Sequence, residues 1–298
     1  MSLPLRFTIL NPFHRLLRLF GRQWLDLRFY KKFRRRMSDD NPRTFHEKVF
    51  WLMRHTDTSR WAQLADKFAV RDFVARRVCE HILPKLYGVW DDVDQIDFSS
   101  ISIPCVFKTN NGCTTNIFIR TAADLEPEKI KRELRKYLTI HYGDLTGESH
   151  YEFIPPKIIC EELMIDEATR HSSLIDYNFH CFNGEPLLCQ IFTDRQPNSH
   201  VFKAMFFDMN LNPRPEYFDF SVTEAEPLTE MERPLSWDHM QAVARALSSG
   251  FPYVRVDLYG INGHTRFGEM TFTPGFDNFY TETMEDEMGQ MLKLPEKL

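Results

Sequence analysis

Two segments near the carboxyl end of the chain alternate apolar side chains with side chains that could do chemistry. The first carries Arg255 and Asp257, and the second carries Glu269 and Thr271. Alternate residues of a β-strand point to the same face, so each pair would lie on one face of a sheet. Carboxylate and hydroxyl oxygens are hard ligands that suit Mg²⁺ bound to phosphates. The pattern therefore predicts a site for a metal–nucleotide complex.

The turn between the two segments decides whether the acids meet. Asn262-Gly263 is a strong hairpin signal. A tip of three or five residues would place Asp257 opposite Glu269, whereas a tip of two would place Glu269 opposite Val256 and separate the acids. Two carboxylates that close are unfavourable without a cation between them. The longer tip would therefore favour a metal site.

The rest of the chain alternates predicted strands and helices, which are needed to position this hairpin. Thr44 and Glu47 are spaced as a capping box, and Asn183-Gly184 is a second hairpin signal. The mixture predicts an α+β fold with mixed or antiparallel sheets and flanking helices. The predicted helices cover residues 44–82, 127–139 and 236–247, and the predicted strands cover 103–108, 117–119, 157–164, 176–182 and 187–192.

Lys108 ends one predicted strand and precedes the loop Thr109-Asn110-Asn111-Gly112-Cys113-Thr114-Thr115. Backbone N–H groups and hydroxyls in such a loop can cradle a phosphate while the lysine supplies charge. The loop does not have the spacing of a Walker motif. From the residues alone, a hairpin turn with a solvated lysine is the favoured interpretation.

Two acids, Glu161 and Glu162, end another predicted strand, and Asp176 and Asn178 share one face of the next. The exit of the first strand could pair with an adenine edge, and an acid there could meet a ribose hydroxyl. The alternative is a strand that ends in solvated acids. The tripeptide Asp92-Val93-Asp94 has the form that holds a nucleotide-sugar metal, although it lies in a generally acidic run that favours a surface loop.

The net charge of −5 conceals a basic arm on an acidic body. Residues 1–36 carry ten Lys/Arg and one acid, whereas the rest carries 27 basic and 41 acidic side chains. An acidic body argues against a nucleic-acid partner. The arm, taken as residues 1–39, has no apolar run that could span a bilayer and no secretory signal. A basic amphipathic helix on an anionic membrane, through residues 5–37, and a helix packed on the body are the two interpretations.

The six cysteines show no metal-ligand spacing, which predicts buried thiols in a reducing cytoplasm. Taken together, the chain from about residue 44 onward resembles the ATP-grasp superfamily, in its teichuronopeptide-biosynthesis (TupA-like) branch. The matching segments are Phe45-His46-Glu47-Lys48, residues 65–71, Phe107-Lys108, Glu161-Glu162-Leu163-Met164, residues 176–184, Thr193-Asp194-Arg195, Phe206-Phe207-Asp208, residues 251–259 and residues 267–275.

The resemblance implies a role for each site residue and a division of residues 40–298 into a phosphate-loop subdomain, about 100–160, and a metal-binding subdomain, about 161–298. Arg255 would stand beside the reacting groups. ATP would be bound by Lys67, Lys108, Asn111, Gly112, Thr114, Glu161, Glu162, Met164 and Asp176, and Mg²⁺ would be bound by Asp257, Glu269 and Thr271. Three positions differ from the usual pattern, since relatives usually have Asn at Thr271, often have Lys at Asn178, and have two glycines in the phosphate loop.

The resemblance also implies an ATP- and Mg²⁺-dependent carboxylate–amine ligase that forms an acyl phosphate. Its expected substrates are a carboxylate on a cell-surface glycan or lipid-linked glycan, of the teichuronopeptide type, and an amine acceptor. The expected location is the cytoplasm, with the inner face of the membrane as a peripheral site. Two alternatives stay open, namely a glycosyltransferase-like protein that uses Asp92 and Asp94, and a non-catalytic ATP-grasp scaffold.

Overall fold

A computed structural model describes residues 5–167, 169–195, 201–275 and 279–296. The predicted arm therefore begins four residues before the described part of the chain. The helices are α1 (Leu5–Leu10), α2 (His14–Leu19), α3 (Gly21–Phe33), α4 (Phe45–His55), α5 (Ser59–Ala65), α6 (Val70–Arg77), α7 (Pro127–Leu138), α8 (Tyr142–Thr146), α9 (Trp237–Ser248) and α10 (Glu282–Met291). The strands are β1 (Leu86–Trp90), β2 (Cys105–Thr109), β3 (Ile117–Ile119), β4 (Ile158–Glu162), β5 (Asp176–Phe182), β6 (Glu185–Thr193), β7 (Lys203–Asp208), β8 (Glu226–Pro227), β9 (Tyr253–Ile261) and β10 (His264–Thr271).

The chain divides into two units, each built from separate stretches of sequence. Unit 1 comprises Met1–Arg34, Thr58–Phe73 and Pro84–Met164, and unit 2 comprises Arg35–Asp57, Val74–Leu83 and Ile165–Leu298. Contiguous domains with boundaries near residues 39 and 160 were expected from the sequence. That functional division stays a prediction.

Unit 1 is built on an antiparallel sheet with the strand order β1-β4-β2-β3. Helix α7 places Ile130, Leu134 and Tyr137 on one stripe, because these residues recur at helical spacing, and all three are buried against the sheet core. Leu10 and Leu17 of the amino-terminal arm pack against the same core. Residues 5–34 of the arm are therefore an integral part of unit 1, whereas residues 35–39 belong to unit 2.

Unit 2 is built on a sheet with the strand order β10-β9-β5-β6-β7-β8, in which only the β7–β8 pair is parallel. One face of this sheet is apolar, since Val254, Val256 and Leu258 alternate along β9 and are fully buried. Helix α9 packs on the apolar face, where the ring of Trp237 lies 5.2 Å from that of Phe179. The polar side chains of β9 therefore share the opposite face.

The α+β prediction is confirmed, and so are its local signals. Thr44 and Glu47 form the capping box at the start of α4. Asn183 and Gly184 have φ angles of 52° and 87°, as a two-residue type I′ hairpin requires. The predicted helical stretch 44–82 consists of the three helices α4, α5 and α6, separated by short connections.

Candidate functional site

The hairpin β9–β10 pairs Asp257 with Glu269 through a backbone feature that was not predicted from the sequence. Its tip is the two-residue turn Asn262-Gly263, the shorter of the lengths considered from the sequence. The inference that a two-residue tip separates the acids is wrong. A β-bulge at Gly268 shifts the register by one residue, so Asp257 pairs with Glu269 and Arg255 pairs with Thr271.

Close packing explains why glycine occupies the bulge. A Cβ atom at Gly268 would lie 2.9 Å from the carbonyl oxygen of Asp257 and 3.0 Å from the ring of Tyr259. The first of these neighbours is backbone, which cannot turn aside as a side chain can. Gly268 therefore permits the close approach on which the register depends.

Arg255 is the centre of the polar cluster on this hairpin. Its guanidinium donates to both carboxylate oxygens of Asp257, from Nε at 2.7 Å and from Nη2 at 2.6 Å. Nη2 also donates to the hydroxyl of Thr271 at 3.2 Å and lies 3.6 Å from Oε1 of Glu269. The Thr271 hydroxyl donates in turn to Glu269 at 3.0 Å. The four predicted residues thus form one connected group.

Burial sets the electrostatics of this group. Asp257 is only 7% exposed, and its desolvation raises the pKa of the carboxyl to about 7 although Arg255 opposes the shift. Desolvation alone would lower the pKa of Arg255, but the attraction and hydrogen bonds of Asp257, together with the charge of Glu269, raise it. With one arginine beside two carboxyl groups, the cluster holds one negative charge in excess when both acids are ionised. A further cation would be favoured there.

Strand β5 extends the same polar face. Asn178 pairs with Asp257, and Asp176 pairs with Tyr259. Oδ2 of Asp176 lies 3.0 Å from Nε of Arg195. Burial raises the pKa of Asp176, with Arg195 and a hydrogen bond with Tyr259 opposing the shift. The predicted ribose-binding acid therefore lies one strand away from the predicted metal ligands.

A buried polar network continues this face away from the acids. His180 pairs with Arg255 across the strands, and Nδ1 of His180 shares a 2.9 Å hydrogen bond with the hydroxyl of Tyr253. Burial holds the pKa of His180 well below its usual range, so the ring is neutral near pH 7. His180 therefore adds no positive charge next to Arg255.

In unit 1, three contacts shape the loop that follows Lys108. Nζ of Lys67 donates to the carbonyl of Gly112 at 2.5 Å. Asn110 accepts from the amide of Lys157 at 2.7 Å and donates to the carbonyl of Pro155 at 3.1 Å. Asn111 is buried, whereas Thr114 is exposed and has a φ of 63°, an uncommon conformation for a β-branched residue. The loop is therefore held at its base and strained near its tip.

Glu161 lies at the centre of a second charged cluster, in unit 1. It is 3% exposed, and its two carboxylate oxygens contact Nζ of Lys108 at 2.5 Å and Nη1 of Arg71 at 2.8 Å. Arg71 also donates to the carbonyl of Pro84 at 2.7 Å. Two cations thus share one acid, so this cluster has one positive charge in excess.

The strand exit after Glu161 is partly occupied by the protein itself. The amide of Glu162 donates to the carbonyl of Lys85 at 2.9 Å, and the amide of Leu163 donates to the carbonyl of Pro104 at 3.2 Å. Neither amide is available to a base without breaking a bond within unit 1. Adenine pairing at this exit would therefore fall to the backbone of Met164.

Asp92 and Asp94 have local structural partners. Asp92 accepts from the amide of Asp94 at 2.8 Å and caps a short 3₁₀ helix. Asp94 is exposed and pairs with Lys131 at 3.0 Å and Arg135 at 2.9 Å. These contacts account for both acids as parts of a surface turn.

Arg71, Arg195 and Gly268 were not selected as site residues from the sequence. Arg71 and Arg195 lie in segments that matched the family, but only the fold shows that each contacts a predicted site acid. Gly268 carried a signal that could have been used, since a glycine within a strand often marks a bulge.

A family model for TupA-like ATP-grasp proteins matches residues 47–293. Solved structures of ATP-grasp proteins are also similar. ATP-grasp ligase PsnB with its minimal precursor is 13% identical, with 80% of this chain and 61% of that one covered and a TM-score of 0.42. An ADP complex of PurK, N5-carboxyaminoimidazole ribonucleotide synthetase, is 14% identical, with 76% and 50% covered and a TM-score of 0.44. D-alanine–D-alanine ligase from Bacillus anthracis with ATP is 13% identical, with 77% and 63% covered and a TM-score of 0.43.

This chain spans less than two thirds of those three proteins, and at such TM-scores the similarities support no inference about activity. The search of curated proteins found no match. The described strands and helices form an α+β fold. Because the family model covers most of its length, the chain belongs to the TupA-like ATP-grasp family.

Proposed function

We propose that this protein is an ATP- and Mg²⁺-dependent ligase that joins a carboxylate to an amine through an acyl phosphate. The observation that carries the proposal is the cluster of Arg255, Asp257, Glu269 and Thr271 on the β9–β10 hairpin. Its hard oxygen donors and its excess negative charge fit a divalent cation. Asp257, Glu269 and Thr271 would hold Mg²⁺, which would neutralise the charge on the phosphates of ATP.

Arg255 is the residue we assign to the reacting groups. Its guanidinium is held by Asp257 in a bidentate pair, so its orientation is fixed before any substrate binds. A fixed cation needs little reorganisation when negative charge develops on an acyl phosphate or a tetrahedral intermediate. The neutral His180, which pairs with Arg255 across the strands, adds no second positive charge beside it.

In unit 1, we assign Lys67 and Lys108 to the phosphates of ATP, together with Asn111, Gly112 and Thr114 of the loop. Lys108 is paired with Glu161, but Arg71 contacts the same acid. Lys108 can therefore turn to a phosphate without leaving Glu161 buried and unpaired. We assign Glu162 and Met164 to the adenine and Asp176 to the ribose.

A thermal-shift panel of ATP, ADP and UDP-sugars, each with and without Mg²⁺, tests the nucleotide and the metal together. We expect stabilisation by Mg-ATP that Glu269→Gln abolishes, with Glu226→Gln, an exposed acid of the same unit, as the matched control. Stabilisation by UDP-sugars instead would contradict the proposal and favour the glycosyltransferase-like alternative.

Turnover separates a ligase from a scaffold. Release of ADP and phosphate that depends on both a uronic acid or acidic amino acid and an amino-acid amine would support ligation. Mg-ATP binding with no turnover for any such pair, and with normal cellular function of Asp257→Asn, would favour the non-catalytic alternative. Cell-surface glycans or their lipid-linked precursors are the substrates we propose, on the basis of the family name.

The arm bears on the location that we propose, the inner face of the membrane. No helix in the described part of the chain is long and apolar enough to cross a bilayer. Helix α2 and the residue after it nevertheless expose Leu16, Leu19 and Phe20, with Leu19 76% exposed, beside the exposed cations Arg15 and Arg18. Apolar and basic side chains on one surface suit a membrane with anionic lipids.

Vesicle binding tests this surface. Deletion of the arm would remove Leu25 and Phe29, which are buried in the fold, so point substitutions are preferable. The triple variant L16S/L19S/F20S should lose binding to anionic vesicles, whereas Leu235→Ser, which alters a residue 94% exposed in unit 2, should bind normally. Equal binding by the two variants would refute the membrane contact.

A further inference from the structure

We propose that His14, His141 and Asp144 form a binding site for a divalent transition metal such as Zn²⁺. Among the described residues, these three form a group in which one candidate ligand atom from each lies within 4.8 Å of the others. His14 is the first residue of α2 in the amino-terminal arm. His141 precedes α8, and Asp144 lies within it. This inference concerns unit 1 alone and does not depend on the proposed ligase activity.

The buried carboxylate is the strongest argument for a cation. Asp144 is 5% exposed, and in the part of the chain that the structure describes no hydrogen-bond donor reaches its buried oxygen Oδ2. A buried carboxylate oxygen without a donor or counter-ion is costly. A metal ion bound by Oδ2 would remove that cost, which the surrounding side chains do not.

The two histidines bring ring nitrogens close to Asp144. Nδ1 of His14 lies 2.9 Å from the carbonyl oxygen of Asn11 and must donate to it, so Nε2 is the ring nitrogen left for a metal. The imidazole rings of His14 and His141 stack in parallel with centroids 3.7 Å apart. Because an imidazole lone pair lies in the ring plane, two stacked rings cannot both face one ion, so metal binding requires the exposed His141 ring to turn out of the stack.

The donor set and its spacing fit zinc better than a hard cation. Two imidazole nitrogens and one carboxylate oxygen are a ligand set found around Zn²⁺, with a water in the fourth position. Ligand atoms about 2.1 Å from a tetrahedral ion lie about 3.4 Å apart, so the three ligand atoms, now within 4.8 Å of one another, must draw closer as the ion binds. Mg²⁺ and Ca²⁺ prefer oxygen ligands throughout.

The site would fasten the arm to unit 1 at a point where other contacts already meet. Trp24 donates to the carbonyl of Leu145 at 3.3 Å, and Arg28 donates to that of Thr146 at 2.6 Å. The metal would add a bond between α2 and this same segment. Tyr142 lies between His141 and Asp144 in the sequence, and its hydroxyl is 2.9 Å from Sγ of Cys113 in the loop after Lys108. An ion bound here would therefore also restrict the movement of that loop.

Cobalt and zinc titrations of the full chain, stripped with a chelator and dialysed, test the site. We expect one equivalent of Co²⁺ to bind with visible absorption bands of a four-coordinate nitrogen and oxygen site, and Zn²⁺ to displace it. His14→Gln, His141→Gln and Asp144→Asn should each weaken binding by roughly 100-fold or more. His264→Gln, which alters an exposed histidine of unit 2, should bind as the parent does.

Two further measurements keep the test decisive. Asp144→Asn keeps the shape of the side chain, so its metal-free melting temperature should stay close to that of the parent, which shows that lost binding is not lost folding. Zn²⁺ should protect the arm from limited proteolysis in the parent but not in this variant. An intense thiolate-to-cobalt band, or unchanged affinity in Asp144→Asn, would overturn the proposal.

Discussion

Unit 1 and unit 2 each contain a buried cluster of charged residues, and the two clusters have opposite balances. In unit 2, Arg255 contacts two acids, Asp257 and Glu269. In unit 1, Glu161 contacts two cations, Lys108 and Arg71. An excess of acid attracts a metal cation, and an excess of base attracts a phosphate. The cluster of unit 2 is therefore suited to a cation, and the cluster of unit 1 is suited to an anion.

The comparison predicts which residue of each cluster matters most for stability. It is the single residue of opposite charge, Arg255 in unit 2 and Glu161 in unit 1. A buried pair that loses one partner leaves an uncompensated charge, at a cost of several kcal/mol. A cluster that loses one of two equivalent partners keeps the other, at a lower cost. The following predictions test that asymmetry.

Arg255→Met should have the largest effect. It leaves Asp257 buried without its bidentate partner, and we expect a loss of about 3 kcal/mol in the free energy of unfolding at pH 8. Urea denaturation measures this loss. The double variant R255M/D257N should recover part of it, because the unpaired carboxylate is then absent. If Arg255→Met were as stable as the parent, the pair of Arg255 and Asp257 would not contribute to stability.

Asp257→Asn should change how stability depends on pH. The carboxyl ionises near its ordinary 3.8 in the unfolded chain and near 7 in the folded protein. Between these values the folded state binds more protons, so its stability falls as the pH rises, by up to about 1.4 kcal/mol per pH unit. The free energy of unfolding of the variant, compared with that of the parent, should therefore increase from pH 5 to pH 8, as denaturation at the two pH values would show. A constant difference would mean that Asp257 is ionised throughout.

Glu161→Gln should cost about 2 kcal/mol, since it leaves Lys108 and Arg71 without the acid between them. Lys108→Met and Arg71→Met should each cost less, because the other cation still neutralises Glu161. Urea denaturation of the three variants gives the order. If either cation variant were the least stable, the shared-acid description of unit 1 would be wrong.

How much of this the sequence could predict differs between the two units. Alternation along β9 and β10 correctly grouped Arg255 with Asp257 and Glu269 with Thr271, because strand periodicity is local. Whether the two groups meet depends on the register of the strands, and a single bulged residue shifts that register by one position. The acids do meet, although the hairpin tip has the length that was expected to keep them apart.

The cluster around Glu161 could not be derived in the same way. Arg71 is ninety residues from Glu161 along the chain, and no periodic pattern links a helix to a strand at that distance. The same holds for the group formed by His14, His141 and Asp144, which the packing of the arm alone brings together. Local periodicity predicts which residues share a face, whereas ligand sets made by tertiary packing need the fold.

Two glycine substitutions give the smallest effects and sharpen the comparison at the level of the backbone. Gly268→Ala places a Cβ atom 2.9 Å from a carbonyl oxygen within the paired strands, so we expect a loss of about 1–2 kcal/mol from overpacking. Gly112→Ala in the phosphate loop meets only the Tyr142 ring at 3.4 Å, an ordinary contact, and should change stability by less than about 0.5 kcal/mol. Thermal and urea denaturation of both variants decide between them. Equal losses would mean that the loop of unit 1 is as tightly constrained as the hairpin of unit 2, and that charge balance alone distinguishes the two clusters.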